Sequence, residues 1–169
     1  MAQAGVENNE DLSGVHLDEA DRRELLAVQT ECTVIFAHAV HDGWPSGVVM
    51  SFMDADGALW LTSAEMRAQV KGVEADPRMS VVISNAGTAL EGRRMLAMRG
   101  HGTVHRDAAT KAWFYPRFAA RLAPDDPAAF ERLLDSPKRV VIEFRPTAVA
   151  ASHDSRKMAG DGRGGAAKG

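Results

Sequence analysis

The chain has 169 residues, enough for one domain with a substantial core, and its formal net charge of -3 gives no general reason to bind nucleic acid or anionic membrane. Any anionic ligand must therefore meet a local cluster of basic side chains. No apolar run approaches the length of a membrane span, and the polar N-terminus lacks the pattern of a signal peptide. These features predict a cytoplasmic protein that binds neither nucleic acid nor membrane.

The two ends of the chain are polar or glycine-rich, which predicts flexible segments. Residues 1–17 form the predicted N-terminal lead and residues 153–169 the predicted tail. One domain, residues 18–152, lies between them. Its first element is predicted to be a short amphipathic helix in LDEADRRELLAV, with core contacts from Leu17, Leu25 and Leu26.

Six short runs rich in Val, Ile, Phe, Met and Trp predict β-strands at residues 32–40, 46–54, 58–63, 78–85, 93–106 and 138–152. The dipeptides Asp42-Gly43 and Asp56-Gly57 are typical of tight turns, so the first part of the chain is expected to form two consecutive hairpins. The only cysteine, Cys32, begins the first run and is expected to be a buried, inert thiol.

The fifth run shows a clear two-residue alternation. Leu96, Met98, Gly100, Gly102 and Val104 fall on one face, whereas the other face carries Arg99, His101, Thr103 and His105. One face should pack on a core, and the other should be solvated or line a site. Two glycines within one strand predict a bulge or a close approach by another group, as where a sheet curls into a barrel.

A helical insert separates the fifth and sixth strands. It comprises AATKAWFYPRFAARL and DPAAFERLLDS, and the helices are expected to break at Pro116 and at APDDP. The predicted fold is therefore mainly β: a six-stranded antiparallel barrel with short helices and a helical insert before the last strand.

The histidines do not have the spacing of a metal site. His38 and His41, three residues apart in a predicted strand, should point to opposite faces. His101 and His105 share a face but should lie roughly 13 Å apart, too far for one zinc ion. No nucleophile motif is present either, so catalytic residues cannot be assigned, and if the protein is an enzyme, a cofactor is expected to carry the chemistry.

The stretch TSAEMRAQVKGVEADPR predicts a short helix directly after the third strand. Thr62-x-x-Glu65 has the pattern of a capping box, which would place free backbone N–H groups beside Thr62 and Ser63. Such a helix start is suited to a phosphate group. Three residues at helical spacing are expected to form its buried stripe, namely Met66, Val70 and Val73.

Arg67, Lys71 and Glu74 follow another face of the same predicted helix. The simpler interpretation is a solvated face with a weak Lys71–Glu74 pair. The functional alternative is a phosphate site in which Arg67 supplies a planar fork and Lys71 a second positive charge.

KAWFYPRF, residues 111–118, also has two interpretations. Trp113 and, more weakly, Arg117 are candidates for the wall of a ligand cleft. Alternatively, Trp113, Phe114 and Phe118 anchor the insert to the barrel, which is the commoner role of aromatic side chains at helical spacing.

The order of these elements resembles the flavin-binding split-barrel family that contains pyridoxamine 5'-phosphate oxidase. The resemblance is carried by HDGWPSGVVMSF, DADGALWLTS, RAQVKGVEADPRMSVVIS and RGHGTVHRD, and it covers roughly residues 30–150. It implies a six-stranded split barrel that forms a homodimer, with FMN in clefts shared by the subunits. The implied function is that of an FMN-dependent oxidoreductase acting on a small molecule.

The resemblance also implies site residues. The flavin ring would lie along the second strand at Val48, Val49, Met50 and Ser51, and the phosphate would be held by Thr62, Ser63, Arg67 and Gln69. The family usually has lysine where this chain has Gln69, which removes one charge-assisted contact, and Lys71 is a candidate to compensate.

The family also includes proteins that bind the deazaflavin F420 or haem. The alternative prediction is therefore a non-catalytic haem- or F420-binding protein, or one that carries out F420-dependent reduction. For haem, the candidate axial ligands are His38, His101 and His105.

Overall fold

The computed structural model describes residues 14–158. The strands are β1 (Glu31–Ala37), β2 (Pro45–Ser51), β3 (Met53–Ala55), β4 (Ala58–Ala64), β5 (Arg78–Ser84), β6 (Arg94–His105) and β7 (Arg139–Asp154). The helices are α1 (Glu19–Val28), α2 (Ala68–Ala75), α3 (Ala108–Leu122) and α4 (Pro127–Leu134), followed by a short 3-10 turn at Ser155–Lys157. Within the described residues, no helix is both long and apolar enough to cross a membrane.

All strand pairs are antiparallel and belong to one sheet with the order β2-β1-β5-β6-β7-β4-β3. The mainly β, antiparallel architecture with short helices and an insert before the last strand is thus confirmed. The two ends of the sheet, β2 and β3, are consecutive in the chain and are separated only by Phe52. The sheet therefore curls back on itself and forms a half-barrel.

The predicted count of six strands is wrong, because the run 46–54 forms two strands. Its first part pairs with β1, whereas Met53–Ala55 pairs with β4 across the Asp56-Gly57 turn. Phe52, fully buried between them, still donates its backbone N–H to the carbonyl of Thr30, 2.9 Å away. One continuous run of residues thus changes partner at Phe52, which the sequence pattern does not reveal.

Both predicted hairpin turns are confirmed. Asp42 and Gly43 have φ values of 50° and 70°, and Asp56 and Gly57 have 54° and 72°. Two successive residues with positive φ are typical of a type I′ turn, whose twist matches that of the flanking strands. This geometry explains why Asp-Gly stands at both positions.

The alternation predicted for the fifth run is confirmed in β6. Leu96, Met98, Gly100 and Gly102 are buried, while Arg99, His101 and Thr103 are exposed. A Cβ on Gly100 would lie 2.0 Å from the Arg145 carbonyl oxygen, and one on Gly102 would lie 2.2 Å from the Met79 sulfur. The β6–β7 register also shifts between Arg99 and Gly100. The glycines therefore mark both a bulge and a close approach, as predicted.

Helix α1 begins after Asp18, whose carboxylate accepts a hydrogen bond from the Asp21 N–H at 2.9 Å. Leu17 and Leu25 are buried and Leu26 is partly buried against the core, so the predicted contacts of this amphipathic segment are confirmed. Parts of the predicted lead and tail, residues 1–13 and 159–169, lie outside the described residues. The described remainder includes the buried side chains of Val15, Leu17 and Asp154.

The core has two parts on opposite faces of the sheet. The inner cluster fills the half-barrel and includes Cys32, Val34, Phe52, Leu61 and Phe144. The outer cluster lies between the sheet and the helical insert and is built from Met53, Ala58, Trp60, Phe114, Tyr115, Phe118, Leu134 and Val141. Cys32 is buried as predicted, and burial raises the pKa of its thiol to about 12.

The predicted break at Pro116 is wrong. Helix α3 runs through this proline, and the helical insert breaks only between Leu122 and Pro127. Phe114 and Tyr115 before the proline and Phe118 and Ala119 after it are all buried. We attribute the continuity to this packing, which holds both halves of α3 against the sheet and opposes the local cost of an interior proline.

Candidate cofactor cleft

The chain after β4 does not form the predicted capping box. Strand β4 continues to Ala64, because Thr62 and Ala64 pair with Val141 and Arg139 of β7. Helix α2 then begins at Ala68, with Arg67 as the residue before its first turn. Strand pairing with a distant part of the chain thus replaces the helix start that the local pattern predicted.

The buried stripe of α2 is correct only in part. Val70 and Val73 are buried in the inner core, but Met66 precedes the helix and is 75% exposed. The predicted Lys71–Glu74 pair is present, with Lys71 Nζ 3.7 Å from a carboxylate oxygen of Glu74. Both side chains are partly exposed, so this pair contributes little to stability.

A cleft opens where the two ends of the curled sheet diverge. On one side is β2, which pairs only with β1, and on the other is the part of β4 beyond Trp60, which pairs only with β7. The two sides meet near Phe52, where β2 gives way to β3. The gap therefore widens from Phe52 toward the end of β4.

The edge of β2 presents free backbone groups to this gap. Phe52 donates to Thr30 and His38 donates to Trp44, so hydrogen-bonded pairs between β1 and β2 fall at the even-numbered residues of β2. The N–H and C=O groups of Val49 and Ser51 consequently point away from β1. The Glu65 N–H donates to the Lys138 carbonyl, so the hydrogen-bonded pairs between β4 and β7 fall at the odd-numbered residues of β4. The N–H and C=O groups of Thr62 therefore point away from β7.

Basic and polar side chains gather at the wide end of the cleft, beyond β4. Arg67 and Arg139 both line it, and neither forms an ion pair with a carboxylate among residues 14–158. The Gln69 side-chain amide donates to Ser63 Oγ at 3.0 Å. Two arginines and an amide in the lining of one cleft provide groups suited to bind a phosphate.

The first turn of α2 adds backbone donors to this end. Arg67 makes no side-chain capping bond, and the first intrahelical bonds are donated by Val70 and Lys71 to the Arg67 carbonyl. The N–H groups of Ala68 and Gln69 therefore precede the first bonded residue of the helix. Such N–H groups and the positive end of the helix dipole favour an anion.

The two hydroxyls at the end of β4 have other partners. Thr62 Oγ1 donates to the Val140 carbonyl at 2.8 Å, so its proton is committed to the protein. Ser63 is buried and accepts from Gln69. Tyr115 lies beside Thr62, and burial raises the pKa of its phenol, which keeps it protonated at neutral pH. Thr62 and Ser63 therefore line the cleft without adding charge, which leaves the positive charge to the arginines.

An apolar wall from the helical insert completes the cleft. Four side chains of α3 and α4 line it: Phe118, Leu122, Phe130 and Leu134. The cleft volume is about 460 Å³, within the range of sites for cofactor-sized ligands. The cleft thus has a backbone edge, an apolar wall and a basic end.

The structure brings together all but two of the ten predicted site residues. The cleft is lined by Val48, Val49, Met50, Ser51, Thr62, Ser63, Arg67 and Gln69. The two exceptions are Lys71, which pairs with Glu74, and Trp113, whose ring packs 4.7 Å from that of Trp60. Arg117 lies over the Trp113 ring, 5.3 Å from its centre, and donates to the Trp113 carbonyl. Trp113 thus packs against the outer cluster in this chain, which is the contact that the anchor alternative expected.

The prediction that His38 and His41 point to opposite faces is wrong. Strand β1 ends at Ala37, and both histidines lie in the turn, where their ring centres are 4.2 Å apart. His105 Nε2 lies 2.8 Å from a carboxylate oxygen of the buried Glu143. Across residues 14–158, no group of three or more His, Cys, Asp or Glu side chains is arranged to hold a metal ion.

Sequence reasoning missed Arg139 and the four apolar residues of the insert. Arg139 belongs to β7, whose pairing with β4 brings it opposite Ala64. A basic pair, Lys138-Arg139, directly before an apolar run was the available signal. The spacing of Phe118 and Leu122 indicated a helix face but not the cleft that this face covers.

Comparison with known proteins gives a consistent picture. The sequence profile of the pyridoxamine 5'-phosphate oxidase family matches residues 22–153. Among curated proteins, none matches the sequence significantly. The conserved hypothetical protein Rv2991 from Mycobacterium tuberculosis is a structural match with a TM-score of 0.72 and 17% identity, over 86% of this chain and 89% of that one.

Two further matches have a ligand in their names. A FAD-binding protein from Mesorhizobium loti has a TM-score of 0.61 and 16% identity, over 80% of this chain and 93% of that one. The haem storage protein HutZ from Vibrio cholerae has a TM-score of 0.62 and 12% identity, over the same shares of the two chains. At these identities the matches show a common fold.

Proposed function

The chain belongs to the pyridoxamine 5'-phosphate oxidase family, and we propose that it is an oxidoreductase that binds FMN in the cleft between β2 and β4. The domain of residues 18–152 would form the flavin-binding unit. The observation that carries the proposal is that one cleft of about 460 Å³ is lined by a strand edge and by two arginines, all without partners among residues 14–158.

The basic end of the cleft supports binding of the FMN phosphate. Arg67 and Arg139 can each donate two parallel hydrogen bonds to phosphate oxygens, and the N–H groups at the start of α2 add neutral donors. Arg139 supplies the second positive charge that Gln69 does not, while Lys71 is engaged with Glu74. The site therefore keeps two positive charges, one from Arg67 and one from Arg139 of β7, although Gln69 is neutral.

The other end of the cleft supports binding of the flavin ring. The polar edge of the ring carries alternating donors and acceptors, and the outward N–H and C=O groups of Val49 and Ser51 alternate in the same way. Phe118 and Phe130 provide an apolar wall for the ring and exclude water from it. When bound, FMN would supply hydride or electron transfer, and these residues would hold and orient it.

We further propose that the protein is a homodimer with its cofactor clefts at the subunit interface. The strand register aligns Val49, Thr33, Val82 and Ala97 in one row across the outward face of β2, β1, β5 and β6. Val49, which also lines the cleft, is 68% exposed in the single chain. A second copy that covers this row would bury Val49 and close the cleft from outside.

Sedimentation velocity tests this arrangement. Val82→Lys should convert a dimer to a monomer and weaken FMN binding, whereas Leu133→Lys, at an exposed apolar residue on α4, should leave both unchanged. A wild-type protein that sediments as a monomer at micromolar concentration would overturn the dimer. Dimeric Val82→Lys protein would instead overturn the choice of face.

The absorption spectrum of the freshly purified protein tests the cofactor, together with mass spectrometry of the molecule that heat releases. Release of FMN, and bleaching of its absorption after addition of NADPH or NADH, would support the flavin oxidoreductase. Release of F420 would keep the cleft and change the electron carrier. A Soret band would indicate haem, although His38, His101 and His105 do not line this cleft. A colourless protein that does not bind added FMN would overturn the proposal.

A further inference from the structure

A second depression lies on the outward face of the sheet, at the end nearest the β1–β2 turn. Its volume is about 460 Å³, and strands β1, β5 and β6 provide most of its lining. It shares no lining residue with the cofactor cleft. A depression of this size can hold a small organic molecule.

The carboxylate that lines this depression, that of Asp76, already accepts hydrogen bonds from Arg78. Asp76 Oδ1 accepts hydrogen bonds from the backbone N–H and Nε of Arg78, at 3.0 and 2.9 Å, and Oδ2 accepts from Arg78 Nη2. Hydrogen bonding to Arg78 lowers the pKa of Asp76 to about 2. Asp76 and Arg78 therefore compensate one another, and the pair offers little to a cationic ligand.

Arg99 and His101 remain as the positive or potentially positive groups of the depression. Both project from the exposed face of β6, where the register places Arg99 opposite Ser80 and His101 opposite Arg78. Among the described residues, Arg99 has no carboxylate partner. The β-bulge beside Arg99 is held by Thr147, whose hydroxyl donates to the Arg99 carbonyl at 3.2 Å.

The rest of the depression is largely apolar. Ile35 and Ala37 of β1 and Pro45 of β2 line it from the same outward face. Trp44, which lies between lining residues Gly43 and Pro45, is 72% exposed. A guanidinium without a carboxylate partner in the described part of the chain, beside an apolar floor, matches a molecule with one anionic group and an apolar body.

We propose that this depression, which we call the Arg99 site, binds a small amphiphilic anion, with its carboxylate, sulfonate or phosphate group on Arg99 and its apolar body on Ile35 and Pro45. The site lies where the apolar row of the sheet face gives way to charged side chains. The inference does not depend on which cofactor the other cleft holds, and it requires that the second copy proposed above leave Arg99 and Ile35 accessible. It predicts a binding event that cofactor-cleft variants do not remove.

Fluorescence titration with 8-anilinonaphthalene-1-sulfonate tests the site, because this probe joins an aromatic body to one sulfonate. Arg99→Ala should weaken binding about tenfold through loss of a charge-assisted hydrogen bond. N-phenyl-1-naphthylamine, which lacks the sulfonate, should bind the wild type and Arg99→Ala equally. Ser80→Glu, which places a carboxylate opposite Arg99, should weaken binding of the sulfonate probe and spare the neutral one.

Arg23→Ala, on the exposed surface of α1, serves as the control and should bind the sulfonate probe as the wild type does. Arg67→Ala identifies any probe molecule that enters the cofactor cleft, and it should retain the binding that Arg99→Ala loses. Circular dichroism would establish that each variant is folded. Equal affinity of wild type, Arg99→Ala and Ser80→Glu for the sulfonate probe would overturn the proposal. Loss of binding in Arg67→Ala alone would also overturn it, since the probe would then occupy the cofactor cleft.

Discussion

The side chain of Gln69 donates a hydrogen bond to the hydroxyl of Ser63, 3.0 Å away, at the basic end of the cofactor cleft. This bond gives Gln69 a structural role. A lysine at the same position could reach a phosphate bound at this end of the cleft. We therefore propose that Gln69 does not mark a lost site, and that Arg67 and Arg139 supply the positive charge of the phosphate site.

Gln69→Lys should tighten FMN binding by about tenfold, because an ammonium group would add a charge-assisted contact to the phosphate. Fluorescence titration of the apoprotein with FMN measures the change. Gln69→Met removes the amide without adding a charge and serves as the control, with unchanged or weaker binding expected. If lysine and methionine had the same effect, the phosphate would not lie at this end of the cleft.

Gly72 is required by packing and not by its backbone conformation. A Cβ there would lie 2.4 Å from the Phe36 ring and 2.5 Å from the Ala37 carbonyl oxygen. Gly72→Ala should therefore lower the free energy of unfolding by about 1–3 kcal/mol, even though alanine is the better helix former. Gly47→Ala is the control, since the nearest atom to its Cβ is 3.7 Å away. Urea denaturation compares the two, and greater stability of Gly72→Ala would contradict the packing.

Arg156 joins the end of β7 to helix α1. Its guanidinium bonds both carboxylate oxygens of the buried Asp154, at 2.9 and 2.6 Å, and also reaches Asp21 at 2.6 Å. The bonds from Arg156 lower the pKa of the Asp154 carboxyl below the ordinary value of 3.8. Hydrogen bonds from Lys157 and, to a lesser extent, from Arg156 lower the pKa of the Asp21 carboxyl in the same direction. Arg156→Gln should therefore cost about 1.5–3 kcal/mol at neutral pH.

The pH dependence of this contact follows from the direction of the shifts. Because the folded-state pKa values are lowered, the stabilisation is fully present above the ordinary pKa of 3.8 and is lost as the pH falls through the lowered values. The stability difference between wild type and Arg156→Gln should thus be constant near neutral pH and shrink in acid. Arg23→Gln is the control, because Arg23 forms an exposed ion pair with Glu19. Its free energy of unfolding should be almost the same as that of the wild type at every pH.

Cys32 should be unreactive in the folded protein. Its side chain is buried, and its pKa of about 12 leaves almost no thiolate at pH 8. A chromogenic disulfide reagent should therefore modify the native protein slowly and should modify one thiol per chain rapidly in denaturant. Rapid reaction under native conditions would show that β1 opens readily.

The fold was largely predictable because its signals are local. Asp42-Gly43 and Asp56-Gly57 adopt the positive φ values that such dipeptides favour, and the alternation of β6 follows directly from its burial. The exceptions depend on distant contacts. The chain changes its pairing partner at Phe52, from β1 to β4, and β4 extends past Thr62 because it pairs with β7. No local sequence pattern contains these pairings.

The cleft was predictable where it consists of consecutive residues and not where it depends on the tertiary fold. The residues from β2 and from the start of α2, which the family resemblance implied as site residues, line one cleft. Arg139 and the wall formed by Phe118 and Phe130 could not be assigned, because their positions depend on how β7 and the insert pack on β4. The contact of Trp113 with Trp60 was equally unpredictable from the sequence, because it depends on how the insert packs on β4.

Titration of the apoprotein with FMN, for wild type and for Arg67→Ala, Arg139→Ala and the double variant, tests the central claim most directly. Each single variant should weaken binding by about tenfold to a hundredfold, and the double variant more than either, because each removes a charge-assisted contact to the phosphate. Riboflavin, which lacks the phosphate, should bind the wild type and these variants with similar affinity. The control variant Arg23→Ala should bind FMN as the wild type does. Equal FMN affinity in the wild type and the double variant would contradict the assignment of this cleft.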